Sequence, residues 1–104
     1  MITTLNMIEL SEGAELVRTL ADYLISISHP SRLKIVEYCS EEPRRFTDII
    51  LDLRLNPASF KFHVKVLMDD GLITKVERGV YRTTKLGRLL LELVNQANSL
   101  ETRL

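Results

Sequence analysis

Between Arg45 and Gly87 the chain packs two helix-forming segments and a hairpin end to end, with no spacer, and this run constrains the fold more than any other feature. Asn56-Pro57 is a strong helix start, because the asparagine oxygen accepts from early backbone N–H groups and proline presets the backbone angle of the first turn. Gly71, after Asp70, is an equally strong stop, since glycine adopts the left-handed conformation that ends helices. Within these limits Phe60, His63, Val64 and Leu67 are spaced to share one face, which predicts a core-facing stripe. Ala58, Ser59, Lys61, Phe62 and Lys65 are left on the opposite side. Upstream, FTDIILDL predicts a shorter helix from a Thr47 cap to about Arg54, preceded by a short strand at Arg44, Arg45 and Phe46. Downstream, residues 72–77 and 80–83 are rich in β-branched side chains and flank Arg78-Gly79, which predicts a hairpin.

The flanking segments read as helices too. Ser11 can cap a helix over 11–28 with Glu12 and Glu15 at its positive end and Val17, Leu20, Leu24 and Ile27 in one stripe. Pro30 disfavours a helical His29 and so separates this helix from the next, whose core face is Leu33, Ile35, Val36 and Cys39; Pro43 ends it. Thr84 is the expected cap of a last helix, 85–104, where Leu86, Leu90, Leu93, Ala97, Leu100 and Leu104 recur at spacings of four and three. With Leu89, Leu91 and Val94 beside it, this seam is wider than one small domain can cover. At 104 residues the chain is expected to form one domain over 1–104 and to gain stability from a partner, which predicts a homodimer. The helices at 11–28 and 85–104 are the expected contacts, with Val17, Leu20, Leu24, Leu86, Leu90, Leu93, Ala97 and Leu100 as interface residues.

The formal net charge is zero, but the charges are segregated. Residues 1–43 carry 7 acidic and 3 basic side chains, 44–88 carry 5 and 10, and 89–104 carry 2 and 1. Positive charge thus concentrates where two helices and a hairpin adjoin, as expected of a face that meets phosphates. The helix, break, helix, hairpin order is the layout of a helix-turn-helix followed by a wing, which places its second helix in a nucleic-acid groove. Double-stranded DNA is the expected partner. Lys61 and Lys65, one turn apart on helix 57–70, can reach phosphates or guanine acceptors, and Ala58 and Ser59 leave room for close approach. Arg78 and Arg82 on the wing (72–83) can enter a minor groove or bind phosphate, as can Arg44, Arg45 and Thr47 before the shorter helix. Each also has a plainer reading as solvated surface. Phe62 is expected to pack against the wing, the other reading being contact with a thymine methyl.

The segments ISHPSRLKIVEYC, FTDI, FKFHVKVLMDDGLI and VYRTTKLGRLLL together resemble the winged helix-turn-helix regulators of the ArsR-like superfamily, in particular small archaeal-type members with phenylalanine before the histidine. The resemblance covers about residues 25–92 and is carried by His29-Pro30-x-Arg32, His63-x-x-x-Leu67 and Gly71-Leu72-Ile73. It implies an α+β, mostly α fold of five helices with a two- or three-stranded β wing, a recognition helix near 56–70, a dimer interface on the terminal helices, and a homodimeric repressor of an imperfect palindrome. Where many members have serine followed by arginine or a polar residue, this chain has Lys61-Phe62, so base preference does not transfer. Some ArsR-like proteins sense metals through cysteines in the third helix or His and acidic ligands in the last. Here the former holds Ile49, Ile50, Leu51 and Leu53, and the latter Glu92, Asn95, Gln96 and Asn98, so neither a metal nor another cofactor is expected.

Other classes fare less well. No glycine-rich phosphate loop, nucleophile elbow or histidine with a nucleophile partner appears, so an enzyme is not expected. Asp69 and Asp70 are adjacent on a helix and diverge. No apolar run approaches a membrane span and no export signal opens the chain, which predicts a cytoplasmic, nucleoid-associated protein. His63 and His29 are expected to be structural, and the single Cys39 an inert core thiol. No residue pattern specifies a small-molecule effector. The competing functions are a winged-helix protein-interaction module and an architectural protein that coats DNA with little sequence preference.

Overall fold

The structure, a computed structural model, describes residues 19–103, with side chains through Leu100. The predicted Ser11 cap and Val17 lie outside the described residues. Helix α1 occupies 19–28 and is followed by α2 (Pro30–Glu41), β1 (Arg44–Arg45), α3 (Phe46–Leu53), α4 (Pro57–Asp69), β2 (Ile73–Glu77), β3 (Val80–Thr83) and α5 (Lys85–Arg103). The three strands form one antiparallel sheet in the order β1-β3-β2.

Most expected boundaries stand where capping chemistry puts them. The Asn56 side chain accepts from the backbone N–H groups of Ala58 (2.8 Å) and Ser59 (3.4 Å), and Pro57 occupies the first turn of α4. Gly71 closes the helix with φ +75°, while Leu72 N–H donates to the Leu67 carbonyl. His29 caps α2 by accepting from Ser31 N–H through Nδ1 (3.1 Å). Thr84 caps α5 by accepting from Gly87 N–H (3.1 Å) while its hydroxyl donates to the Gly71 carbonyl (2.6 Å). One threonine therefore ties the end of α4 to the beginning of α5.

The expected Thr47 cap is corrected. Helix α3 begins a residue earlier, at Phe46, with Arg45 in the cap position and no side-chain cap bond. Phe46 N–H donates to the Gly79 carbonyl (2.8 Å), so the tip of the hairpin satisfies one of the donors left free at the start of the helix. Helix α3 ends through Arg54 in the left-handed conformation (φ 55°), and this turn redirects the chain into α4.

The core lies where α2, α3 and α4 meet the sheet and the first half of α5. Phe60 is wholly buried at its centre, edge-on to Phe46 (5.2 Å between ring centres) and to Tyr81 (5.7 Å). Val64, Leu67 and His63 are buried on the same side of α4, as their spacing predicts. Around them Ile35, Val36, Cys39, Ile49, Leu72 and Ile73 complete an almost entirely aliphatic interior. Thr83, fully buried on β3, donates to the Val36 carbonyl (2.6 Å), which anchors the sheet to α2 without leaving its hydroxyl unsatisfied.

Candidate nucleic-acid interface

Because Phe60, His63, Val64 and Leu67 hold one side of α4 against the core, its opposite side is presented outward, and Ala58, Ser59, Lys61, Phe62 and Lys65 are all exposed there. Lys65 approaches Asp69 at 3.7 Å, but both side chains are mostly solvated, so the pair holds the lysine only weakly. Phe62 corrects the packing expectation: it is 62% exposed and makes no ring contact with the wing, and its ring lies edge-on to that of His63 (5.6 Å).

The hairpin is built to expose cations at its tip and along one side. Tyr81 and Thr83 point inward from β3, which turns Arg82 outward, and Arg78 stands exposed beside Gly79 (φ +75°). Pairing of Arg45 with Val80 brings β1 alongside, so Arg45, Thr47 and Arg78 border one cleft of about 440 Å³ together with Phe46, Glu77 and Val80. The cleft brings Arg78 of the hairpin beside Arg45 and Thr47, which lie far from it in sequence. It also contains Glu77, which the sequence reading did not place there; an irregularity in register between Lys75 and Glu77 sets its position.

Arg44 does not join this set. Its guanidinium lies 4.0 Å from the centre of the Tyr38 ring, donates to the Tyr38 carbonyl (3.0 Å), and pairs with Glu41 (2.6 Å) and Glu42 (2.8 Å). With its side chain only 17% exposed, it is a structural cation that closes α2 onto β1, not a free phosphate ligand.

On the far side, the expected dimer residues divide. Leu90 is 1% exposed and belongs to the chain's own core, which corrects its assignment to an interface surface. Leu86 is half-buried, while Leu20, Leu24, Leu93 and Leu100 are exposed. Leu20, Leu24, Leu93, Val94, Ala97 and Asn98 line an apolar cleft of about 360 Å³ between α1 and α5.

Two remaining groups are chemically quiet. Burial pushes the Cys39 thiol up to about 12, against a smaller opposing effect of Arg44, so the thiolate needed for reactivity is scarce at neutral pH. No cluster of three or more His, Cys, Asp or Glu placed to hold a metal ion occurs among the described residues, and none of their helices is long and apolar enough to cross a membrane.

These features define a winged helix, and a model of the family described as "Winged helix-turn-helix" matches residues 32–102. The chain belongs to that family. Solved structures share its fold at low sequence identity. Reduced HlyU from Vibrio cholerae N16961 superposes with a TM-score of 0.70 at 18% identity, over 83% of this chain and 95% of its own. NolR from Sinorhizobium fredii gives 0.73 at 15%, over 86% and 90%. The transcriptional repressor BigR from Xylella fastidiosa gives 0.71 at 19%, over 86% and 93%. A chain described as an ArsR family transcriptional regulator is also similar, at 0.61 and 21%. A search of curated protein sequences finds no match.

Proposed function

We propose that the protein is a DNA-binding transcriptional regulator of the ArsR-like kind, acting in the cytoplasm as a homodimeric repressor. In this reading α4 enters the major groove, and the cleft and wing residues Arg45, Thr47, Arg78 and Arg82 contact the adjacent backbone or minor groove. Repression follows from occlusion of a promoter. The observation that carries the reading is the polarity of α4: one side locked into the core by Phe60 and Leu67, the other exposing two lysines beside small residues at its N-terminal end. Resemblance to solved structures of transcriptional regulators supports it. The apolar cleft between α1 and α5 supports a second copy as the partner that covers Leu93 and Ala97.

Titration of the full chain against duplex DNA at several salt concentrations tests the proposal. Affinity is expected to fall steeply with salt, and replacing Lys61 and Lys65 by alanine should reduce the log-log slope by about four per dimer, two contacts from each subunit. An unchanged slope in that double variant would remove α4 from the interface. Absence of binding to any duplex at low salt would favour a protein-interaction module instead.

A further inference from the structure

We propose that Phe62 is a base-reading residue that selects the 5-methyl group of a pyrimidine, thymine in unmodified DNA, in the major groove; the inference rests on the DNA-binding reading of α4. Its placement is the first reason. Ala58, Phe62 and Lys65, at spacings of four and three, occupy the part of α4 opposite Phe60, Val64 and Leu67, so the ring stands on the outward face and not at its margin. Its exposure is the second: a large aromatic side chain left 62% in water stands outside the chain's own core.

The chemistry of the occupant follows from what surrounds the ring. Lys61 and Lys65 flank it, both exposed, so a surface that covers Phe62 must also accept two ammonium groups. The major groove supplies that combination, with phosphates at its walls and one apolar feature on its floor. Guanine, adenine and cytosine present only acceptors and amino donors at their major-groove edges, and a phenyl ring set against them strips water from polar atoms without returning a hydrogen bond. Thymine presents a methyl group, which the ring can bury. Selection therefore has an attractive part and a repulsive part, and the second is the larger where a polar edge replaces the methyl. Ala58, one turn before Phe62, has no side-chain bulk to hold the helix away from the bases.

The test selects the tightest-binding duplex for the full chain from a synthetic, unmodified random pool, then replaces each thymine in turn by deoxyuridine, which removes the methyl and leaves pairing intact. Wild-type protein should lose about fourfold in affinity for each methyl that Phe62 buries, the value of one buried methyl-sized group. Phe62→Ala should be indifferent to the same replacements, and Phe62→Leu should keep part of the sensitivity. At a sensitive position, 5-methylcytosine should bind more tightly than cytosine by a similar factor; equal binding of the two would overturn the methyl assignment. Phe62→Ala is expected to unfold at the wild-type denaturant midpoint, because the side chain is not part of the core. If duplexes are selected but wild type and Phe62→Ala respond alike at every position, the inference fails while DNA binding stands. If no duplex is selected, both fail together.

Discussion

The rings of His29 and His63 lie 4.5 Å apart, tilted by 44°, and join the cap of α2 to the buried side of α4. The contact sets the capping imidazole of His29 against the buried one of His63. His29 uses Nδ1 as the acceptor of its cap bond. His63 is only 8% exposed, and among the described residues neither its Nδ1 nor the buried Nε of Arg32, whose charge acts on it, has a hydrogen-bond partner.

A pH dependence of stability follows. Burial, then His29, then Arg32 hold the His63 pKa below its ordinary value of 6.5, so the unfolded chain binds a proton at this position more readily than the folded one. The contribution of the neutral imidazole is full above pH 6.5 and is lost as pH falls below that value toward the lowered folded pKa. Urea unfolding at pH 7.5 and at pH about 5 is expected to show a lower midpoint in acid, with a smaller drop in His63→Leu. An equal drop in the variant would place the acid sensitivity elsewhere.

Arg44 and Arg45 are neighbours in sequence with separate tasks. Arg44→Ala removes the contact with the Tyr38 ring and a hydrogen bond to its carbonyl, and is expected to destabilise the fold by about 1–2 kcal/mol while leaving the salt slope of DNA binding unchanged. Arg45→Ala should do the reverse: little change in the unfolding midpoint and a slope lower by about two per dimer, one contact from each subunit. A reduced slope in Arg44→Ala would return that side chain to the interface.

This pair also marks where sequence reading stops. Asn56, Pro57, Gly71 and Thr84 announce helix limits because the groups they satisfy are a few residues away in the chain, and all four act as expected. The inward stripe of α4 is legible for the same reason, since helical periodicity is local. Arg44 could not be told from Arg45, because the Tyr38 ring that captures it is presented by another helix. Thr47 misled because the start of α3 is set from across the sheet: Phe46 N–H donates to the Gly79 carbonyl, and the helix begins before the expected cap. Leu90 and Leu93 carry the same side chain in the same heptad-like seam. Only the packing of α5 on the rest of the chain separates the one that is buried from the one that is 41% exposed.

Gly87 and Gly79 are required for different reasons, and alanine substitutions should distinguish them. A Cβ at Gly87 would stand 2.4 Å from the Leu72 carbonyl oxygen and 2.7 Å from Thr83 Cγ2, where the first obstacle is backbone at the end of α4 and cannot rotate away. Gly87→Ala is expected to cost roughly 1–3 kcal/mol through displacement of α5 from that junction. At Gly79 nothing among the described residues lies within 4 Å of an added Cβ, and only the positive φ resists a side chain, at a cost of about 1 kcal/mol. Denaturant midpoints of the two variants should therefore rank Gly87→Ala as the less stable.

The proposed dimer makes a prediction that separates surface from core within α5. Leu93→Glu combined with Ala97→Glu puts two carboxylates on the apolar cleft shared with Leu20 and Leu24, and light scattering should then report a monomer. Loss of the second half-site contact should weaken binding to a palindromic duplex by about 10²-fold or more, because the second contact would no longer be intramolecular. Leu90→Ala, three residues earlier, should behave differently. Its side chain is buried within one chain, so the change should cost about 2–5 kcal/mol of folding stability. The folded fraction of that variant should still dimerise and still bind DNA, since neither the α1–α5 cleft nor the outward face of α4 has been altered. A double-glutamate variant that remains dimeric would move the interface away from Leu93 and Ala97 and leave the apolar cleft for another occupant.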